Sequence, residues 1–187
     1  MNKEEVEKYL IDGSIIRNSL DVNKIYEFGI AMSKSFHSGS KLIVMGNGGS
    51  AADAQHIAAE FVGRFERERH PLPALALHSN SSSITAIGND YGFDQIYSRQ
   101  IEAFANKGDF VLGLSTSGNS SNVLKALEMA KELGCDNYGI TGSSGGKMLE
   151  VLGKERIIKI ESNRTSFIQE CTIAIIHILS KIVEDLM

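Results

Sequence analysis

The sequence predicts an α/β protein in which helices cover both faces of a parallel sheet of five strands. Short apolar runs alternate with helical stretches along the chain, and this order favours parallel strands joined by helices. Glycine-rich turns follow the first and third apolar runs, at the carboxyl ends of strands, where such sheets bind ligands. The 187 residues, 42% apolar and 22% charged, have the composition of one globular domain, which excludes a disordered or fibrous protein.

The amino-terminal segment, residues 1–38, is predicted to be helical. Its apolar residues recur at spacings of three and four, the period of a helix with one apolar face. A break in this segment is expected either near Gly13 or at Asp21, and the spacing does not decide between them.

Five apolar runs are predicted to be strands. They cover residues 41–45, 74–77, 109–114, 137–141 and 156–160. The first run, KLIVM, is apolar almost without interruption, which indicates a strand that is buried on both faces.

Helices are predicted between and after these strands. They cover residues 51–65, a short stretch opened by the serines at 79–83, residues 90–106 and a segment that ends at Leu133. The turn at 142–146 is predicted to be an ordinary loop. The last helix, of about 20 residues, is apolar around much of its circumference, which indicates burial. In so short a chain we expect a second subunit to share in that burial.

Charge and cysteine content limit the partners and the compartment. The net charge of −4 lacks the basic field of a nucleic-acid-binding protein. Cys135 and Cys171 lie 36 positions apart and form no CxxC motif, so we expect reduced thiols. No signal-peptide stretch and no run of about 18 apolar residues is found. We therefore expect a cytoplasmic protein with no nucleic-acid partner and no membrane partner.

The first glycine-rich turn, residues 46–51, formally matches the dinucleotide-binding fingerprint GxGxxA. The match is weak, because the fingerprint needs an acidic residue about 20 positions later and the second strand instead ends at His78. A P-loop at residues 142–147 is excluded more clearly. That run is one residue short, and Met148 stands where a Ser or Thr would bind magnesium.

The turn after the third strand carries four hydroxyl side chains around Gly118. They belong to Ser115, Thr116, Ser117 and Ser120. Backbone N–H groups and the dipole of the following helix attract an anion at such a place, so this turn is a candidate phosphate site. The alternative is a cluster of helix-capping residues in a solvent loop.

Two histidines and a carboxylate form the second group of candidates. His56 and Glu60 are four residues apart on a predicted helix and so share a face, which suits metal binding, acid–base chemistry or an ordinary surface pair. His177 lies in the apolar last helix, where a lone His is usually a core residue. Helical periodicity places Glu170 about 20° from His177, and Gln169 about 80° from it, so it favours Glu170 as the partner.

Four motifs together closely resemble the phosphoheptose isomerases of the SIS (sugar isomerase) superfamily. They are GNGGSAADAQH at 46–56 followed by Glu60, GNDYGF at 88–93, STSGNS at 115–120, and Gln169 with His177 eight residues later. The likeness extends over essentially the whole chain, in order and without large gaps.

The resemblance implies a three-layer sandwich with a five-stranded parallel sheet in flavodoxin-like order. It implies one SIS domain over residues 1–187 and a homotetramer, with segment 1–38 packing in the oligomer and active sites between subunits. It also implies conversion of D-sedoheptulose 7-phosphate to D-glycero-D-manno-heptose 7-phosphate through an enediol. That reaction is the first step of nucleotide-activated heptose biosynthesis, which supplies lipopolysaccharide or other surface glycans.

The resemblance implies roles for single residues as well. Glu60 is expected to be the base that removes the C1 proton, and His177 the acid that moves a proton between the two oxygens. One zinc ion is expected on His56, Glu60, Gln169 and His177. The substrate-binding residues that it implies are Asn47, Gly48, Gly49, Glu60, Asn89, Asp90, Ser115, Thr116, Ser117, Ser120 and Gln169.

Two other functions stay open at this point. One is a non-catalytic adaptor of the type that binds the replication initiator DnaA, although that adaptor lacks the counterparts of Glu60 and His177. The other is an isomerase for a different sugar phosphate, because nothing in the sequence fixes a seven-carbon chain. The chain also departs from many relatives at Thr172, where they carry His, and relatives vary at the two alanines that follow GNGGS.

Overall fold

The computed structural model describes all residues from 1 to 187 and contains the five predicted strands in one sheet. The strands, β1 to β5 in chain order, are Leu42–Gly46, Ala74–Ala76, Phe110–Ser115, Asp136–Gly142 and Ile157–Ile160. All neighbouring strands are parallel, and their order across the sheet is β2-β1-β3-β4-β5. The predicted fold class and the flavodoxin-like strand order are therefore confirmed.

Eight α-helices accompany the sheet. In chain order, α1 to α8 are Lys3–Asn18, Val22–His37, Gly49–Val62, Ser81–Tyr91, Ser98–Phe104, Ser121–Glu132, Gly146–Leu152 and Thr165–Leu186. Two short 3₁₀ turns lie at Phe93–Gln95 and Lys154–Arg156.

Two hydrophobic cores lie on opposite faces of the sheet. In β1, Leu42 and Val44 contact the core beneath α2, α3 and α8, whereas Ile43 and Met45 contact the core beneath α5, α6 and α7. This alternation follows from the two-residue period of a strand, and it explains why the KLIVM run is apolar throughout.

Two elements differ from the prediction, and the position of the break in the amino-terminal segment is now decided. Asp21 separates α1 from α2 and caps α2 through the Lys24 N–H, whereas Gly13 lies inside α1, next to the Glu170 carboxylate. The predicted helix at 90–106 is divided, because Gly92 adopts a φ of +88° that ends α4. The turn predicted to be a plain loop leads directly into α7, which the sequence analysis missed.

The last helix, α8, is the element that brings the candidate site residues of the carboxyl-terminal region to the rest of the fold. By length and composition alone it is apolar enough to cross a membrane, with a mean hydropathy of 1.4 over 18 residues. Half of that window is buried against other helices, mainly α2 and α3. This is the packing of a core helix. Ile178 and Leu186, at 42% and 44% exposure, are apolar side chains of α8 that remain uncovered in the single chain.

The site is positioned by the change in winding direction between β1 and β3. These strands are neighbours, but the helix after β1, α3, covers one face of the sheet and the helix after β3, α6, covers the other. A crevice therefore opens at the carboxyl ends of the two strands, which is the usual ligand site of such sheets. Both of the informative glycine and serine turns lie there.

Candidate functional site

Three of the predicted site residues form one cluster between α3 and α8. The His56 Nε2 atom lies 2.9 Å from a Glu60 carboxylate oxygen and 3.0 Å from the His177 Nε2 atom. One ligand atom from each of the three side chains lies within 4.8 Å of the other two. The structure thus joins two residues of the first motif to a residue 121 positions away.

The packing of α3 on α8 produces this cluster. Ile57 and Phe61 of α3 are fully buried in the core, and this fixes the rotation of the helix about its axis. His56 and Glu60 then lie at the edge of the buried face, next to α8, with 42% and 21% of their side chains exposed. They are held by the core and remain accessible to a ligand.

The three side chains have the donor set and the spacing of a zinc site. Two imidazole nitrogens that face each other at 3.0 Å need either a shared proton or a cation between them, and the carboxylate beside them is a further electron-pair donor. Tetrahedral zinc with bonds of about 2.1 Å to nitrogen separates two such nitrogens by about 3.3 Å. The residues present therefore fit a metal ion with little movement.

Asp53 lies one turn before His56 on α3 and has an unsatisfied carboxylate. One of its oxygen atoms is buried without a hydrogen-bond partner. Burial raises the pKa of Asp53 to about 6, and the charge of the nearby His56 opposes that rise. A half-buried carboxylate with an open acceptor beside the three-residue cluster indicates that a cation or a donor group belongs at this place.

Gln169 occupies the amino-terminal end of the same α3–α8 contact. A Cβ atom added to Gly49 would overlap the Gln169 carboxamide, so the absence of a side chain at Gly49 makes room for it. The Gln169 carboxamide therefore lies against the first residue of α3, which precedes His56 by seven residues. Its role as the fourth zinc ligand stays a prediction.

Glu170, which periodicity favoured as the partner of His177, lies elsewhere. Its carboxylate is exposed to solvent next to Gly13 of α1, whereas Gln169 lies on the α3 side of the helix, as His177 does. The expectation from periodicity is wrong because periodicity gives only the direction in which a side chain leaves the helix, whereas the position of its polar group also depends on the length and rotamer of the side chain.

The turn after β1 presents backbone groups to the crevice. Gly48 has a φ of +56° and caps α3, and both Gly48 and Gly49 are exposed. The Asn47 side chain is not free, because it exchanges two hydrogen bonds with Asn122 in the first turn of α6. At this turn, the accessible polar groups are those of the backbone.

The serine turn after β3 leads into the amino terminus of α6. Ser115 is buried, and its hydroxyl lies 2.9 Å from the Ser120 hydroxyl. Ser120 is the N-cap residue of α6, yet its side chain makes no capping hydrogen bond. Exposed Ser117 accepts a hydrogen bond from the Asn119 N–H. The geometry favours an anion site over a cluster of capping residues, since the N-cap side chain does not cap the helix.

The glycine turn at residues 142–146, which the sequence analysis read as plain loop, supports the serine turn. The Met148 N–H donates to the Gly118 carbonyl, and the Gly142 N–H donates to the Thr116 carbonyl. Gly118 has a φ of +67°, and a Cβ there would overlap the Gly145 carbonyl oxygen. Glycines on both sides of this contact therefore allow the two turns to pack backbone against backbone.

Asn89 and Asp90 lie on α4, and the structure does not connect them to the other candidates. Both are exposed, and the Asn89 carboxamide donates to the Asp90 carboxylate at 2.7 Å. No residue of α4 is buried. Their assignment as substrate-binding residues stays a prediction.

A groove of about 650 Å³ lies away from this site at the amino-terminal edge of the sheet. Lys34, Asp136, Tyr138 and Arg156 are among the residues that line it, and it contains none of the predicted site residues. In a single chain, the candidate site is an open surface rather than an enclosed cavity.

Comparisons with known proteins agree with this arrangement. The SIS domain model matches residues 17–142. A probable phosphoheptose isomerase from Thermoplasma volcanium is 52% identical over 181 residues, covering 97% of this chain and 91% of that protein. A phosphoheptose isomerase from Geobacter sp. strain M21 is 57% identical over 150 residues, covering 80% of this chain and 77% of the relative. The chain belongs to the phosphoheptose isomerase family.

A solved structure supports the same membership at the level of the fold. The phosphoheptose isomerase from Francisella tularensis superposes with a TM-score of 0.93 at 34% identity, over 99% of this chain and all of that one. The family membership that the four sequence motifs predicted is therefore confirmed.

In this member of the phosphoheptose isomerase family, the end of α3 that bears Glu60 is held by Arg69, a contact that the sequence did not predict. Arg69 donates to the carbonyls of Glu60 and Phe61 at the end of α3, at 2.6 and 3.0 Å. The buried Glu184 carboxylate of α8 lies 3.9 Å from the Arg69 Nε atom and accepts the Glu66 N–H. This loop closes over the end of α3 and fixes the helix turn that bears Glu60.

We predict that Gly118→Ala lowers the free energy of unfolding by about 2–4 kcal/mol, because the substitution adds both backbone strain and an overlap with the Gly145 carbonyl. Gly153→Ala is the matched control, since Gly153 has a φ of +76° but no atom within 4 Å of the added Cβ. Denaturant unfolding measures both variants, and equal losses would contradict the contact between the two turns.

Proposed function

We propose that the protein is a ketose–aldose isomerase that converts D-sedoheptulose 7-phosphate to D-glycero-D-manno-heptose 7-phosphate. The observation that carries the proposal is the convergence of His56, Glu60 and His177 in one cluster, in a chain that also carries a hydroxyl-lined turn at the start of α6. The chain belongs to a family of isomerases, and relatives named phosphoheptose isomerase share about half of its residues. In this proposal, the reaction is the first step of nucleotide-activated heptose biosynthesis.

The isomerisation requires one base and one acid on the open-chain sugar. Glu60 takes a proton from C1 while His177 gives a proton to the C2 oxygen, so the electron pair of the C–H bond forms the C1–C2 double bond of an enediol. His177 then takes the proton of the C1 hydroxyl, and Glu60 returns its proton to C2, which leaves an aldehyde at C1. No atom is lost, and both side chains end in their starting states.

In this proposal, the phosphate and the sugar of the substrate are bound by different parts of the chain. The phosphate is bound by the hydroxyls of Ser115, Thr116, Ser117 and Ser120 and by N–H groups at the start of α6. The sugar is bound by the backbone of the turn at 47–49, by Gln169, which lies over that turn, and by Asn89 and Asp90 of α4.

We propose zinc as the cofactor, with His56, Glu60 and His177 as ligands and Gln169 as the fourth. Bound zinc would polarise the carbonyl oxygen of the substrate. The support is the convergence of two imidazole nitrogens and a carboxylate oxygen, together with the unsatisfied Asp53 beside them.

A non-catalytic adaptor that binds DnaA is less well supported. Such a protein has no need for a carboxylate and two histidines within 4.8 Å of one another. An isomerase of another sugar phosphate shares every feature described above, so only substrate comparison separates it from the proposed function.

We also propose a homotetramer in the cytoplasm. The apolar side chains of Leu10 and Ile15 on α1 are 68% and 61% exposed, and α4 has no buried residue, so both helices offer uncovered faces. Cys135 and Cys171 are buried and unpaired, as in a reducing compartment.

Glu60→Gln is expected to lower kcat for sedoheptulose 7-phosphate by about 10²–10⁴-fold, because the amide keeps the shape of the side chain but cannot accept a proton. Aldose formation by the purified protein measures this, with five- and six-carbon ketose phosphates as competing substrates. Glu68→Gln, on an exposed carboxylate that is 91% accessible, is the control. A wild-type protein that forms no aldose with or without zinc would overturn the proposed function.

Metal removal tests the cofactor. We expect about one zinc ion per chain by mass spectrometry, a lower unfolding midpoint after chelation, and recovery of the midpoint on adding zinc. His56→Ala should lose the metal, whereas His70→Ala, on an exposed loop residue, should keep it. Retention of zinc by His56→Ala would contradict the ligand set.

The oligomer is tested by sedimentation equilibrium. The wild type should sediment as a tetramer, and the double substitution Leu10→Glu with Ile15→Glu should dissociate it by placing charges in an apolar contact. Lys3→Glu changes the net charge by the same amount at an exposed position and should not. A monomeric wild type would refute the proposed assembly.

A further inference from the structure

A buried pair of amide side chains joins the two ligand turns. Asn47, in the turn after β1, donates to the Asn122 side chain at 2.9 Å, and Asn122 donates back at 2.9 Å. Asn122 is only 1% exposed and lies on the buried face of α6, in line with Ala126 and Ala130. An asparagine on an apolar helix face is costly unless its polar atoms are satisfied, so the pairing explains why it is tolerated.

The same pair is held by neighbours on both sides. The Asn122 side-chain oxygen also accepts the Val123 N–H at 2.9 Å. Tyr97, which is 2% exposed, donates its hydroxyl to the Gly46 carbonyl, and burial raises the pKa of that hydroxyl to about 12. The hydroxyl therefore stays protonated and holds the end of β1 directly before Asn47.

The consequence is a fixed spacing between the two turns. Asn122 follows Ser120 by two residues in the chain, and Asn47 precedes Gly48 and Gly49. No other side-chain hydrogen bond joins the turn at 46–49 to the segment at 115–122, and the backbone pairing of β1 with β3 ends at Gly46 and Leu114. Any loosening of the amide pair lets the sugar-binding turn move relative to the phosphate-binding turn.

We propose that Asn122 is a positioning residue that acts through Asn47 and holds the turn after β1 in its ligand-binding conformation. The proposal rests on the proposed function in so far as it names the two turns as the sites for the sugar and the phosphate. Asn122 itself touches neither the substrate nor the reacting atoms. Without it, the turn samples several conformations, and substrate binding has to select the competent one. The apparent affinity for the substrate is then the intrinsic affinity multiplied by the fraction of molecules whose turn is in the competent conformation, while kcat at saturation is retained.

The test uses two matched variants of the full-length protein. Asn122→Leu removes the amide pair, and Asn137→Leu removes another buried asparagine, which is 4% exposed and donates to the Leu127 carbonyl at the opposite edge of the sheet. Both should lower the unfolding midpoint. Only Asn122→Leu should speed amide hydrogen exchange in the peptide covering residues 46–50. Unchanged exchange there, or equal acceleration in both variants, would overturn the proposal.

Kinetics supply the second measurement. We expect Asn122→Leu to raise KM for sedoheptulose 7-phosphate by about 5–50-fold and to leave kcat within about twofold of the wild-type value. The reason is that the Asn47 side chain loses its partner, and an unpaired polar group lowers the population of the competent conformation by about such a factor. Asn137→Leu should leave KM unchanged. A loss of kcat with KM unchanged, or no kinetic effect, would contradict the positioning role. If Asn122→Leu fails to fold, Asn122→Asp, which keeps the acceptor for the Val123 N–H and loses the donor to Asn47, replaces it in both measurements.

A double-mutant cycle establishes that Asn122 acts through Asn47. The effects of Asn47→Ala and Asn122→Ala on KM should be strongly non-additive, with the double variant no worse than Asn47→Ala alone. Additive effects would overturn the coupling. If the wild type shows no turnover, the proposed function fails, and hydrogen exchange at residues 46–50 still decides the role of Asn122.

Discussion

The close approach of α8 to α3 is the contact on which the rest of the site depends. It sets a histidine from the end of the chain beside a histidine and a carboxylate from the first helix of the sheet. The approach requires glycines. A Cβ atom at Gly29 of α2 would overlap Ile182 of α8, and a Cβ atom at Gly49 would overlap the Gln169 side chain. Small residues on the neighbouring helices thus decide where α8 lies, and α8 decides where His177 lies.

The anion site proposed at the serine turn relies on backbone and hydroxyl groups rather than on basic side chains. The chain has a net charge of −4, and the serine turn contains neither lysine nor arginine. Its donors are hydroxyls and the N–H groups at the start of α6, and their directions are set by the packing of one glycine turn on another. Net charge therefore carries no information about a small phosphate ligand, whose binding energy is local.

The five strands could be predicted from the sequence, for physical reasons that also explain which contacts could not. Strands such as KLIVM are apolar on both faces, and motifs such as GNGGS are short-range, so both are visible in one stretch of chain. The Asn47–Asn122 pair and the Arg69–Glu184 support join residues 75 and 115 positions apart, and no local pattern records them. The helix α7 was not predicted because its N-cap residue and its first residue are both glycines, which are poor helix formers. Glu170 was favoured over Gln169 because periodicity describes backbone directions and not the reach of a side chain.

A proton transfer on a sugar carbon needs water to be excluded, and the single chain does not provide this. The His56 side chain is 42% exposed, and the site opens onto a surface rather than a cavity. The exposed apolar residues of α1 and the uncovered face of α4, which bears Asn89 and Asp90, lie outside the two cores that the chain buries by itself. Such faces are stable only when covered, and a second copy of the chain would cover them and the site in one step. In the proposed tetramer, the contacts that bury α1 and α4 would also lower the dielectric around Glu60 and His177, which would make the assembly part of the proposed chemistry.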